Sequence, residues 1–119
     1  MYSCEIPLRL PSVANLREHH HARAARAREH RNVVRMKLGE WVAAFREASR
    51  LRVTITRIGP KALDTDNLAS ACKACRDGVA DALGRDDGDP RIVWSYAQAR
   101  YANRPRTYGL RIEIEGGEG

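Results

Sequence analysis

Hydrophobic and polar residues alternate near both ends of the chain and recur at helical spacing between them. Residues 2–10 place Cys4, Ile6, Leu8 and Leu10 on one side of an extended segment, which predicts a strand. Pro7 on the other side cannot donate to a ladder and points to a sheet edge. LPSVAN then reads as a loop. From Ala22 to Ser49 the period changes: Val34, Leu38, Trp41, Phe45 and Ala48 recur at spacings of four and three, the stripe of one helix weakened at Gly39. RVTITRI (52–58) is β-branched and alternating, a second strand that ends at Gly59-Pro60. Leu68, Cys72, Cys75, Val79 and Leu83 make a second helical stripe, with Gly84 as its stop and Asp89-Pro90 as a turn. RIVWSYAQAR (91–100) and YGLRIEIE (108–115) are two further strands, joined by YANRPRT as a hairpin loop. The order β-α-β-α-β-β predicts an α+β fold, with two long amphipathic helices on one face of a mostly four-stranded mixed sheet. A single domain spans 1–115, and the GGEG tail (116–119) is expected to fray.

Composition narrows the classes. The 119 residues suit one domain with a modest core. At 43% apolar and 30% charged the chain is globular in character. No apolar run approaches the roughly 18 residues of a membrane span, and no basic-then-apolar leader opens the chain. The three cysteines, an odd number, fit a reducing compartment better than a disulfide framework. A cytoplasmic protein is expected, in a bacterial or phage-infected cell.

Charge changes the picture most. The net charge is +6, yet residues 63–89 hold seven aspartates against three basic residues, while the remainder holds 18 basic against eight acidic. A basic body suggests a polyanionic partner, because neutralising phosphates releases condensed counterions. Acids grouped within such a body repel phosphate unless a cation sits between them.

Asp66, Ser70, Lys73 and Asp77 fall on one face of the second helix, opposite its apolar stripe, and Ser70 and Asp77 are accounted for as its solvent side. Asp66-Asn67 can cap the helix, which leaves Asp64 without a role. In an extended segment residues two apart point the same way, so Asp64 and Asp66 are expected to converge, and Asp86-Asp87 adds carboxylates at the far end. Oxygen-rich groups of this kind suit Mg²⁺ or Mn²⁺.

Other motifs fall away. An EF-hand loop starting at Asp64 would put Leu68, Ala69 and Cys75 where an oxygen ligand, glycine and glutamate are needed. Cys72 and Cys75 form a C-x-x-C, but within a helix and on its apolar stripe, so they read as core thiols. His19, His20, His21 and His30 read as a solvated basic approach rather than a metal site. Neither a Walker A loop nor a G-x-G-x-x-G run occurs, and no small-molecule substrate is indicated.

The run Asp64-Thr65-Asp66-Asn67-Leu68, then Lys73, Asp77, Ala82-Leu83 and Asp86-Asp87 ahead of a strand, resembles the RusA-like Holliday junction resolvases, with the similarity covering residues 52–115. The resemblance implies a homodimeric, metal-dependent endonuclease of DNA recombination and repair that cuts four-way junctions with Mg²⁺, or Mn²⁺ in its place. Asp64, Asp66 and Asp87, with Asp86 as an alternative, would be the metal carboxylates and Lys73 the catalytic lysine. Lysine lies four residues after the second aspartate in the short form of the family pattern; here position 70 is serine, and Lys73 follows by seven, still on the same helical face. The arginines Arg28, Arg31 and Arg35, with Arg100, Arg104 and Arg106 around YANRPRT, are the candidate phosphate contacts. Two alternatives stay open: a junction-binding protein that does not cut, and a nuclease of the same fold acting on flaps or other branched DNA.

Overall fold

The computed structural model describes residues 1–12 and 20–117; half of the LPSVAN loop, His19 and the last two residues of the tail lie outside them. The elements are β1 (Tyr2–Ile6), α1 (His20–Leu38), a 3-10 helix (Gly39–Phe45), β2 (Arg50–Ile58), α2 (Thr65–Leu83), β3 (Ile92–Ala99) and β4 (Gly109–Gly117). One mixed sheet runs in the order β1-β4-β2-β3. β2 lies at its centre, with Ile55 opposite Ile112 of antiparallel β4 and opposite Tyr96 of parallel β3. A parallel pair needs a long crossover, and α2 supplies it. This is the expected α+β fold.

Alternation decides which sheet face is covered. Val53, Ile55, Ile112 and Ile114 are fully buried, in one cluster with Val34 and Leu38 of α1 and with Cys72, Cys75, Val79 and Leu83 of α2. Of the opposite parity, Thr54 and Glu113 are half-buried and Arg52 and Glu115 exposed, and on the same face Glu5 meets Arg111 directly across the β1–β4 ladder at 3.2 Å. Cys72 and Cys75 are core thiols as expected, and burial pushes the Cys72 thiol up to about 12. Among the described residues no helix is long and apolar enough to cross a membrane.

Three elements depart from the sequence reading. β1 stops at Ile6, where Pro7 interrupts donation and Leu8 N–H turns back to the Ile6 carbonyl at 2.8 Å; β1 is nonetheless an edge strand, as Pro7 indicated. The single helix expected over 22–49 is broken at Gly39, whose φ of 44° is the left-handed conformation that glycine adopts without strain. The tighter three-residue turn that follows brings Val42 into the core and leaves Trp41 76% exposed. Finally, β3 and β4 do not form a hairpin. They flank β2 on opposite sides, so YANRPRT crosses the end of β2, with short turns from Arg104 N–H to Tyr101 and from Thr107 N–H to Arg104.

Candidate functional site

The acidic stretch is organised by α2. Asp64 is the residue that caps this helix: its backbone is extended, and its carboxylate accepts from Asn67 N–H at 2.9 Å and from Asn67 Nδ2 at 3.0 Å. Capping therefore accounts for Asp64, contrary to the sequence reading. Asp66 already lies inside the helix, in its first turn, so the two-residue alternation that would aim both side chains at one point ends between them. Gly84, with φ of 66°, closes the helix as expected, its N–H reaching the Ala80 and Asp81 carbonyls.

The segment ahead of Asp64 is pinned from two strands. Gln98 of β3 accepts from Leu63 N–H at 2.7 Å and donates to the Leu63 carbonyl at 2.8 Å. Arg57 of β2 donates to the Lys61 carbonyl at 2.8 Å. The start of α2 is thus held over the C-terminal ends of the two parallel strands.

Beyond the helix, the chain doubles back along its side. Lys73 Nζ donates to Asp77 Oδ1 at 2.8 Å and to Asp87 Oδ2 at 2.9 Å, a contact across 14 residues of sequence. Asp87 is further fixed by residues that the sequence reading did not single out. Arg76 approaches its carboxylate at 3.3 Å, and the peptide carbonyl of Asp87 accepts from Arg76 Nη2 and Trp94 Nε1, both at 2.9 Å. Arg76 also lies over the Trp94 ring, 4.7 Å from its centroid, and donates to the Tyr96 hydroxyl at 3.0 Å. The available signal was helical spacing: Lys73, Arg76 and Asp77 are three and four apart. Asp86 instead accepts from Gly88 N–H at 2.9 Å, and Asp89 from Arg91 N–H at 2.9 Å, both shaping turns.

These contacts separate the carboxylates. Lys73 is seven residues along the helix from Asp66, about 10 Å of axial rise, and its tie to Asp77 draws the ammonium toward the C-terminal end. Metal bonds of roughly 2.0–2.6 Å require ligand oxygens far closer together than that. Among the described residues no group of three His, Cys, Asp or Glu side chains is arranged to hold a metal ion. Asp64, Asp66 and Asp87 therefore do not fit a shared Mg²⁺ site in this arrangement, although their oxygens are of the right kind.

Of the candidate phosphate contacts, Arg28, Arg35, Arg100, Arg104 and Arg106 are exposed. Arg104 rests over the Tyr101 ring at 4.7 Å. Arg31 is committed elsewhere: its fork grips Asp81 at 2.6 and 2.8 Å and ties α1 to α2. His30 is buried, and loss of hydration holds its imidazole below the ordinary value.

The ion pairs set an acid limb for stability. Asp87 lies below its ordinary value because Lys73 donates to it, and Asp81 because Arg31 does. The side chain and backbone N–H of Arg91 hold Asp89 at about 2, from an ordinary 3.8. The unfolded chain binds these protons first as pH falls, so the stabilisation is complete above the ordinary value and is lost toward pH 2. Urea midpoints are expected to fall between pH 5 and pH 2, and Asp89→Asn should flatten that limb. An unchanged limb in the variant would show that Asp89 does not carry it.

No family model matches the chain, and no curated protein matches it. The functional reading therefore rests on the motif and on the geometry around it.

Proposed function

We propose that the chain is a structure-selective DNA endonuclease that acts on four-way junctions as a homodimer. The observation that carries this reading is the contact between Lys73 and Asp87. The helical lysine and the second aspartate of the pair, which the motif relates only by order along the chain, meet on one side of α2 despite the displaced lysine. A lysine there can stabilise charge developing on a phosphoryl or leaving oxygen. The exposed arginines Arg28, Arg35, Arg100, Arg104 and Arg106 add cationic groups for the DNA backbone. Two symmetry-related nicks resolve a junction, which suits a two-fold dimer. Dependence on a divalent cation belongs to the same proposal and is read in the assay, since the carboxylates stand apart in the fold.

That separation favours a second reading, a protein that binds junctions without cutting them. Incubating the purified chain with an end-labelled four-way junction in Mg²⁺, and separately in Mn²⁺, distinguishes the two. Paired nicks near the branch point are the expected result. A retarded but uncut junction in both metals would leave only the binding protein, and a panel of flaps and forks in the same assay would reveal a different branched substrate.

A further inference from the structure

The core-facing side of β2 carries Leu51, Val53 and Ile55, and then, at the next position of the same parity, Arg57. Its residue is only 5% exposed. The guanidinium donates from Nε to the Leu10 carbonyl and from Nη1 to the Lys61 carbonyl, each at 2.8 Å. A guanidinium has five N–H donors, so among the described residues these two bonds leave others unused. Among the described residues no carboxylate lies within ion-pairing distance of Arg57. Desolvation holds its charged form below the ordinary value; Tyr108 and Cys72 oppose the shift and nearby Arg9 adds to it. A buried charge without a counter-ion is costly.

Arg57 borders a cleft of about 330 Å³ at the start of α2, lined also by Arg9, Ser12, Lys61, Asp64 and Tyr108. The Ser12 hydroxyl is fully buried and has no hydrogen-bond partner among the described residues. Arg9 lies over the Tyr108 ring, 4.3 Å from its centroid. Lys61 is exposed at the rim. Three cations thus face one carboxylate, and both oxygens of that carboxylate are engaged by Asn67. Two independent features, an uncompensated buried cation and an orphaned buried hydroxyl, call for the same missing group: a compact anion with several acceptor oxygens.

We propose that this cleft binds a phosphate group, with Arg57 and the Ser12 hydroxyl donating to it from the floor and Lys61 and Arg9 from the rim. That the phosphate comes from a DNA backbone rests on the nucleic-acid reading above; the preference for a phosphate group does not. A DNA phosphate seated there would bring the backbone beside Asp64, which the motif alone cannot do.

The test uses the full chain and follows the Arg57 Nε–H and the Lys61 and Ala62 amides by NMR. Inorganic phosphate is titrated against sodium chloride at matched ionic strength, and then a four-way junction is added. Saturable shifts with phosphate but not chloride, and shifts of the same signals with the junction, are expected. Lys61→Gln and Ser12→Ala, which spare the buried guanidinium, should each weaken phosphate binding about tenfold, in line with loss of one hydrogen bond to a charged group. Lys61→Gln should also reduce the salt slope of junction binding by about one. If phosphate leaves the Arg57 signal unmoved and both variants bind the junction as the parent does, the cleft is not an anion site and Arg57 is only a clamp between two loops. If phosphate binds but the junction leaves these signals alone, the DNA source is overturned. Failure to cut a junction that still shifts them would count against the nuclease reading and not against the cleft.

Discussion

Gly78→Ala is expected to destabilise the protein by about 2 kcal/mol. Gly78 lies where α2 crosses α1, and a Cβ there would sit 2.6 Å from the Arg31 carbonyl oxygen and 2.9 Å from Val34 Cβ. One of these is backbone and the other a fully buried side chain, so neither can yield without the helices moving apart. Overpacking of this kind costs up to about 3 kcal/mol, against a gain of about 1 kcal/mol in helix propensity when glycine becomes alanine. The balance corresponds to a fall of roughly 8 °C in Tm for a domain of this size. In an uncrowded helix the same change stabilises. A higher Tm would therefore refute the close crossing of the two helices, and thermal unfolding by circular dichroism reads the sign directly.

If the chain cuts junctions as proposed, the largest effect on that activity is expected at Asp66. Asp66→Asn should retain junction binding within about twofold and lower the cleavage rate by about a hundredfold or more, as the motif's role for this aspartate requires. Binding should survive because the lost charge is one that repels phosphate, and because Asp66 is exposed in the first turn of α2. Gel retardation and single-turnover cleavage of one labelled junction measure both quantities. Asp64→Asn is the companion variant: asparagine caps a helix about as well as aspartate, so it removes charge while preserving the start of α2. If Asp66→Asn cuts like the parent, the motif's aspartates have been given the wrong role.

Local pattern determined most of what could be read from the sequence. The alternating strands, the stripe of α2 and its stop at Gly84 follow from side-chain periodicity and glycine's conformational freedom, and the structure agrees with each except in the early end of β1 at Ile6. Gly39 carried a weaker form of the same signal. Its cost to a helix was legible, but a positive φ that turns Trp41 outward depends on how the following turn packs. Strand order was not legible, since β2 and β4 alternate alike and nothing local says which edges pair. The false hairpin followed from that: two adjacent strands with a short polar connection look alike whether they pair or straddle a third.

The site divides along the same line. Residue types and helical spacing put Lys73 on the face of α2 shared with Asp66 and Asp77, but the return of Asp87 onto that lysine depends on where β3 enters the sheet. The contributions of Arg76 and Trp94 are tertiary and had no sequence signature beyond spacing. Asp64 was misjudged because the extended alternation was carried one residue too far into a helix that Asp64 itself begins.

The position of β4 bears on how the chain can be assembled. It is the last strand in sequence, yet it fills the slot between β1 and β2. Until it arrives, β1 has no strand neighbour, and within the sheet only β2 and β3, joined through α2, can pair. An emerging chain would hold its first strand unpaired until β4 is released, so the ladders that complete the sheet form late, at the entropic cost of closing long loops. A ribosome-tethered chain lacking β4 would expose two further edges, on β1 and on β2, the kind of exposed strand to which other chains add.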